Sequence, residues 1–373
     1  MRSKLSIIFL AILWTSSFSL TIQAQSDLGT EATRAIEFPD IPGYVTLKCD
    51  LHMHTVLSDG SVWANIRVSE ALMDGLDAIS ITDHLEYQPK KKDIPHPDRN
   101  RGYELALESA KGTGLMVIPG AEITRSMPTG HFNAIFIKDA NKLNQKDVLE
   151  VFREAKNQGA FVFWNHPHWT AQKPNGVAEL TEMHQKLLAE GLFAGIEIYN
   201  ESTYSDEALE IAHEHQLTIL GNTDVHGPID WEFDVSKGQH RPVTLVFASE
   251  KSIEAMQKAM EERKTAVWFK NTLVGDALYL SPLVEHSLEI SRTGEGPVPR
   301  VLIHNHSDAD YLLENLSDYR LHNQAKVFVA KAHQTTPIQV KTVETLESFE
   351  LRFRVLNAFS SPDTHPEIKL VVK

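Results

Sequence analysis

The stretch Leu47-Lys48-Cys49-Asp50-Leu51-His52-Met53-His54-Thr55 is a short, largely apolar run that ends in two histidines one residue apart. Residues 47–51 have the length and composition of a buried β-strand. Side chains alternate along an extended chain, so both imidazoles point to the same side. Two neutral imidazoles that converge from one strand end are suitable ligands for a divalent metal. The stretch therefore predicts a strand with a metal site at its carboxyl end.

Ligand-type side chains recur where later predicted strands end. The strands over 77–82, 115–119, 160–164 and 217–220 lead into Thr82-Asp83-His84, Gly120-Ala121-Glu122, Asn165-His166-Pro167-His168 and Asn222-Thr223-Asp224-Val225-His226. Asp59-Gly60 follows the first strand closely, and Gly130-His131 precedes a strand over 132–137. Carboxyl ends of parallel strands meet at one edge, where active sites form. We therefore expect these side chains to form one cluster.

The order of elements predicts the fold class. Strands at 194–199 and 242–247 complete the series, and amphipathic helices fall between or after strands at 62–75, 146–158, 176–190, 205–216 and 252–263. Ser61 is a candidate N-cap of the first helix. Alternation of this kind favours a parallel α/β barrel or sheet.

The last hundred residues have a different pattern. From 288 to 373 the chain has strand-like runs separated by turn residues and contains no convincing long helix, which predicts a small antiparallel β-sandwich. His304 and His306 repeat the His-x-His spacing but have no carboxylate motif nearby. We interpret them as one face of a strand and not as metal ligands.

The ordered motifs over residues 47–272 resemble the four-motif signature of the PHP (polymerase and histidinol phosphatase) superfamily. A signal sequence and a β-rich C-terminal part make the whole architecture similar to the Sb-PDE group of phosphodiesterases. The resemblance implies a distorted (βα)7 barrel followed by a small antiparallel β-sandwich. It also implies two or three divalent metals, which would be zinc, manganese or iron.

The resemblance assigns ligands to each metal. The three sets are His52, His54, Glu122 and Asp224; Glu122, His131 and His166, with Glu122 bridging; and Asp59, His84 and His226. Many family members have a histidine where this chain has Asp59. A carboxylate is also a sound ligand for such metals, so the third set stands as an expectation.

Four further positions are candidates for supporting roles. We expect Asp83 to orient a ligating histidine, and Arg125, three residues after Glu122, to contact a substrate phosphate. His168 is either a proton donor near the leaving group or a loop residue. The run Lys90-Lys91-Lys92, in a long loop with Arg99-Asn100-Arg101, is interpreted as a solvated face.

The ligand set predicts a reaction class. Two close metals lower the pKa of a bridging water and supply hydroxide, while they neutralise a phosphoryl oxygen. We therefore predict a metal-dependent phosphoesterase that acts on a small-molecule monoester or diester. An amidohydrolase-like barrel that acts on an amide or ester is the alternative, although such barrels often use a lysine-derived ligand where this chain has Glu122. A non-catalytic metal-binding module is disfavoured by the complete ligand set.

Composition and the N-terminus predict location and partners. The formal charge of -14 disfavours nucleic acid as a general partner. Arg2 and Lys4 precede the apolar run 5–13, and Ala24 offers a cleavage point, so residues 1–24 are predicted to be a signal peptide. We expect a secreted or periplasmic protein with no stable membrane insertion after processing.

The predicted domain order follows from these boundaries. A leader over 25–46 precedes a metal-dependent hydrolase domain over 47–273 and a β-rich domain over 274–373. Cys49 is the only cysteine, so no internal disulfide is possible, and its place in an apolar strand indicates a packed core thiol.

Overall fold

The computed structural model describes residues 34–373. The predicted signal peptide and the predicted leader as far as residue 33 lie outside the described residues. In the part that is described, every helix is too short or too polar to serve as a membrane span.

The first part of the described chain alternates strands and helices. Its strands are β1 Val45–Met53, β2 Ala78–Ile81, β3 Met116–Thr124, β4 His131–Ile135, β5 Phe161–Trp164, β6 Gly195–Asn200, β7 Thr203–Tyr204, β8 Thr218–Asn222, β9 Val243–Ala248, β10 Thr265–Phe269 and β11 Thr272–Gly275. Its helices are α1 Ala64–Met73, α2 Arg101–Ser109, α3 Val148–Gln158, α4 Glu182–Ala189, α5 Asp206–His215, α6 Ile229–Glu232, α7 Ile253–Glu261 and α8 Ala277–Ser287, with 3-10 turns at Ala140–Leu143 and Val235–Lys237.

One curled sheet holds the metal-ligand motifs. Its strand order is β11-β10-β9-β1-β2-β3-β4-β5-β6-β7, with β8 beside β6. Strands β1, β2 and β3 run parallel to one another, as do β5, β6 and β8. The carboxyl ends of these strands therefore lie at the same edge of the sheet.

The expectation of a wholly parallel sheet is corrected in two places. Strand β4 runs antiparallel to β3 and β5, and β9 runs antiparallel to β1 and β10. Residues 125–130 join β3 to β4, and so short a connection cannot return the chain for a parallel strand. This reversal has a consequence for the site, because the first residue of β4, His131, lies at the same edge as the last residues of β3 and β5.

Strands β1 and β8 close the barrel at their carboxyl ends. Beyond β8, the backbone N–H of Asp224 donates to the His52 carbonyl at 2.9 Å, and that of His54 donates to the Val225 carbonyl at 3.1 Å. Asp50 accepts hydrogen bonds from the backbone and hydroxyl of Thr223. Closure of this seam brings together the ligand motifs that follow β1 and β8, which are the first and the last in the sequence.

The second part is a sandwich of two four-stranded antiparallel sheets, as predicted. The strands are β12 Leu288–Thr293, β13 Arg300–Asn305, β14 Tyr311–Asn315, β15 Arg320–Leu321, β16 Val327–Ala330, β17 Thr335–Lys341, β18 Phe349–Val355, β19 Ala358–Phe359 and β20 Glu367–Val372. The sheets have the orders β12-β13-β17-β15 and β16-β14-β18-β20, while β19 extends the barrel sheet beside β11. One hydrophobic core runs through both parts. The predicted fold class, a distorted barrel followed by a β-sandwich, is confirmed.

Several local predictions differ from the structure. The sequence interpretation missed α2, so Arg101 begins a helix and is not a loop residue. Trp63, not Ser61, occupies the N-cap position of α1, and its side chain makes no capping hydrogen bond. Cys49 is buried in the core of β1, where a packed thiol was expected.

Candidate metal centre

The first ligand group lies at the seam between β1 and β8. The Nε2 atoms of His52 and His54 lie 3.1 and 2.9 Å from Oδ1 of Asp224. The same nitrogens are 4.0 and 3.7 Å from the two carboxylate oxygens of Glu122. Alternation along β1 places both imidazoles on one side, as the sequence pattern indicated. Four ligand-type side chains thus surround one small volume.

Glu122 connects this group to a second one. Its Oε1 lies 2.9 Å from Nδ1 of His131 and 3.8 Å from Nε2 of His166. His166 also approaches Oδ2 of Asp224, at 3.9 Å. Oε1 of Glu122 faces His52 of the first group as well as His131 and His166, and Oε2 faces His54, so the carboxylate lies between the two groups and is placed to be shared by two metals.

Asp59 is the centre of the third group. Its Oδ2 lies 3.3 Å from Nε2 of His84, and its Oδ1 lies 3.3 Å from Nε2 of His226. His84 also contacts Glu122 and places its Nδ1 2.7 Å from the Thr124 hydroxyl. The His84 ring therefore lies between the second and third groups.

The turn that carries Asp59 is packed against two other ligand segments. A Cβ on Gly60 would come 2.7 Å from the carbonyl carbon of His54, so this position has no room for a side chain. Ser61 donates from its backbone N–H to the His226 carbonyl at 2.7 Å and does not cap α1. The placement of Asp59 thus depends on close backbone contact with His54 and His226.

The donor set fits divalent cations. Several polar atoms that face one another in the three groups are buried without a hydrogen-bond partner: Nε2 of His52 and His54, Oδ1 of Asp59, Oε2 of Glu122 and Oδ1 of Asp224. Buried polar atoms are normally paired, and an unpaired one is costly. Imidazole nitrogens and carboxylate oxygens at these distances are the ligands that zinc, manganese and iron accept. Bound metals would supply the missing partners.

Protons and metals compete for this cluster. Burial lowers the pKa of His84, but the carboxylates of Glu122 and Asp59 outweigh burial and raise it to about 11. Burial likewise lowers the pKa of His226, while Asp59 and Asp224 raise it to about 9. Metal binding must therefore displace protons from these imidazoles, so metal affinity depends on pH.

Glu197 orients His52, and sequence reasoning missed it. Its Oε1 accepts from Nδ1 of His52 at 2.9 Å and from Nδ2 of Asn222 at 2.9 Å. Its Oε2 accepts from the backbone of His166 at 2.9 Å and from Nδ2 of Asn200 at 2.8 Å. A proton on Nδ1 leaves the Nε2 lone pair of His52 directed at the cluster. A charged residue inside the apolar strand 194–199 was the available signal.

A buried amide holds Glu122 in a similar way. Nδ2 of Asn165 donates to Oε1 of Glu122 at 3.1 Å and to Oδ1 of Asn133 at 3.0 Å. Asn165 immediately precedes His166, so the same strand end supplies a ligand and a group that orients another ligand.

The contacts of Asp83 lie in the loop after β1. Its carboxylate accepts from the Thr55 backbone at 2.7 Å, the Thr55 hydroxyl at 2.7 Å and the Ser58 hydroxyl at 2.6 Å. The Ser58 hydroxyl lies 3.5 Å from Nδ1 of His54. Asp83 therefore orders the loop after β1 and reaches a ligating histidine only through Ser58.

Arg125 and Lys90, two cationic side chains considered in the sequence analysis, are both engaged in contacts within the protein. The Arg125 guanidinium lies 2.9 Å from Glu86 and donates to the Gln145 carbonyl, so contact with a substrate phosphate would require it to leave Glu86. Lys90 is not part of a solvated face, because its ammonium donates to the carbonyls of Asp59, at 2.9 Å, and Gly60. The next two lysines of the run are exposed.

The structure also shows the surroundings of the three histidines discussed above that lie outside the ligand groups. Nε2 of His168 lies 2.8 Å from the Thr203 hydroxyl at the start of β7, and both of its predicted roles stay open. His306 pairs with Glu289 at 3.0 Å on the surface of the sandwich, and His304 lies 2.9 Å from the Thr335 hydroxyl.

Solvent reaches the centre from the side of the third group. The side chains of His52, His54 and Glu122 are fully buried, whereas that of His226 is 36% exposed. Exposed aromatic rings lie beside two of the groups: Tyr87 is 5.7 Å from the His84 ring of the third group, and Trp169 is 5.1 Å from the His166 ring of the second. A substrate would therefore meet the third group first.

Comparison with solved structures identifies a relative that is similar over nearly the whole chain. A structure from Bacteroides vulgatus, described as a two-domain protein containing a predicted PHP-like metal-dependent phosphoesterase, is 39% identical, covers 90% of this chain and 98% of its own, and has a TM-score of 0.84. A family model described as DUF5001, an Ig-like domain, matches residues 285–371. No curated protein matches the chain significantly.

Two other solved structures are more distant. One, described as a metal-dependent phosphoesterase assigned by prediction, comes from Bifidobacterium adolescentis, is 17% identical, covers 48% of this chain and 88% of its own, and has a TM-score of 0.39. PsfC from Pseudomonas syringae is 18% identical, covers 60% and 92%, and has a TM-score of 0.41. Both scores are too low to inform the chemistry of this chain.

The close relative, by contrast, shares more than a third of its residues with this chain over nearly its whole length. Its description also agrees with the PHP resemblance of the sequence motifs and with the ligand groups at the strand ends. The chain belongs to the two-domain PHP-like metal-dependent phosphoesterases.

Proposed function

We propose that this metal-dependent phosphoesterase is an exported hydrolase of small-molecule phosphate monoesters or diesters that uses three divalent metals. The observation that carries the proposal is the set of buried, mutually facing polar atoms without hydrogen-bond partners in His52, His54, Asp59, Glu122 and Asp224. Bound metals would neutralise phosphoryl oxygens and lower the pKa of a coordinated water to supply the nucleophile.

The residues of the chain divide the work by position. Glu122 is shared between the first two groups, and Glu197 and Asn165 hold His52 and Glu122 in their orientations. The third group lies at the solvent-exposed side, so Asp59, His84 and His226 are suited to a metal that binds the phosphate. The first two groups share Glu122 and are therefore suited to the two close metals that would lower the pKa of a coordinated water.

The test combines metal analysis with a substrate panel. Protein without residues 1–24 should contain divalent metal and should hydrolyse phosphate esters from a panel that pairs aryl with alkyl monoesters and diesters. Turnover of amides or carboxylic esters, but of no phosphate ester, would instead support the amidohydrolase-like alternative. Absence of all turnover in metal-replete protein would support a non-catalytic module.

The division of roles is tested by His84→Ala. This variant should retain the metals of the first two groups and lose most of its turnover of the best phosphoester. Full metal content together with full activity would show that the third site does not exist as proposed.

Export is tested separately, by N-terminal sequencing of natively expressed protein. The sequence should start near residue 25, and an intact Met1 would contradict export.

A further inference from the structure

Arg67 lies outside the ligand groups, on α1, with a completely buried side chain. Its guanidinium donates to three backbone carbonyls: from Nε to His54 at 3.0 Å, from Nη1 to Gly227 at 2.8 Å and from Nη2 to Val225 at 3.0 Å. Burial of a guanidinium is costly unless its donors are paired. All three carbonyls belong to a candidate ligand or to a neighbour of one.

Glu70 extends this contact along the loop after β8. Its Oε2 accepts from Nη1 of Arg67 at 2.8 Å, and its Oε1 accepts from the backbone of Ile229 at 2.8 Å. A guanidinium holds its donors in a rigid planar fork. The Arg67–Glu70 pair therefore sets the distance between the end of β1 and the segment from Val225 to Ile229.

The contacts of Arg67 matter most for His226. The ligands at the seam are placed by backbone hydrogen bonds, since Asp224 donates to the His52 carbonyl and His54 donates to the Val225 carbonyl. Beyond Val225 the chain leaves the seam, and His226 lies between two carbonyls that Arg67 holds. Its ring stacks on that of His54 with centroids 4.3 Å apart.

We propose that Arg67 is a positioning residue that selectively sets metal binding at Asp59, His84 and His226. This inference rests on the proposed three-metal assignment. Ser61 also donates to the His226 carbonyl, so loss of Arg67 should weaken the third site without abolishing it.

The experiment titrates cobalt(II) into metal-free protein and follows visible absorption and stoichiometry. Wild-type protein should bind three equivalents. The variant Arg67→Lys keeps the positive charge but loses the planar fork of donors. It should bind two equivalents of cobalt as tightly as wild type does. It should bind the third at least about tenfold more weakly, as expected when the support of a metal ligand is lost. Leu187→Ala, in the buried face of α4, is the control, because it should lower the melting temperature to a comparable extent at a position outside the ligand groups.

Two results with the Arg67→Lys variant would overturn the inference. One is an unchanged third equivalent in Arg67→Lys, and the other is equal weakening of all three equivalents, as a general loss of stability would produce. If Arg67→Lys does not fold, Glu70→Gln should cause a smaller loss at the same equivalent. Wild-type protein that binds only two equivalents would overturn the third site and this inference together. Wild-type protein that binds three equivalents, with a variant Arg67→Lys that binds the third equally tightly, would overturn the inference alone.

Discussion

Glu197→Gln should weaken metal binding by about 10- to 100-fold, although Glu197 belongs to none of the ligand groups. The substitution keeps the shape of the side chain and replaces one acceptor oxygen with an NH2 donor. The magnitude follows from the four hydrogen bonds that the carboxylate accepts, two at each oxygen. In either orientation the new amide directs its donor at two existing donors, so two of the four bonds are lost.

The consequence for the metals depends on which oxygen is replaced. If the NH2 group takes the place of Oε1, it faces Nδ1 of His52, and that ring must move its proton to Nε2. A protonated Nε2 cannot bind a metal. If the NH2 group takes the place of Oε2, it faces the backbone N–H of His166, and the hydrogen bond that holds the backbone of this ligand is lost. A tenfold loss of affinity corresponds to about 1.4 kcal/mol, which is no more than the roughly 1.5–3 kcal/mol of one hydrogen bond to a charged group.

The assay is metal affinity by competition with a chelator, together with the melting temperature of metal-free protein. Glu210→Gln on the exposed face of α5 is the matched control, because it makes the same chemical change away from the site. Glu197→Gln that binds all its metals within about twofold of wild type would refute the view that this carboxylate orients His52.

Three further predictions concern pH, packing and the sandwich. The folded-state pKa values of His226 and His84, about 9 and about 11, exceed the ordinary value near 6.5, so the stability they contribute is present below about pH 6.5 and is lost at higher pH. The melting temperature of chelator-treated protein should therefore fall between about pH 7 and 10, and a flat calorimetric profile would contradict this. Gly60→Ala should push the Asp59 turn away from His54, at a cost of about 1–3 kcal/mol, and lower metal stoichiometry; unchanged stoichiometry would count against the close packing. Replacement of His304 together with His306 by Ala should leave metal content unchanged, and loss of a metal would show that the strand was misinterpreted.

The success of the sequence-based fold prediction depended on local patterns. Apolar runs and amphipathic segments are encoded by neighbouring residues, and most predicted strands and helices overlap elements of the structure, as β1 and α3 do. The errors arose at the ends of elements. The predicted strand over 115–119 stopped short of the observed end of β3 at Thr124, so the short connection 125–130 was not recognised. Helix α2 is amphipathic, but it begins at Arg101 in a charged run that was interpreted as a loop.

The sequence by itself determined the fold class, the chemical type of the ligands and their place at strand ends, because residue type and alternation are local properties. Only the tertiary structure decided how those side chains are supported. Glu197 receives its four hydrogen bonds from residues on several strands. Arg67 contacts the residues that follow β1 and β8 at their seam, and Asp83 accepts hydrogen bonds from the loop after β1. Such partners are brought together by closure of the barrel, since hydrogen bonds form between groups that are close in space, whatever their separation along the chain.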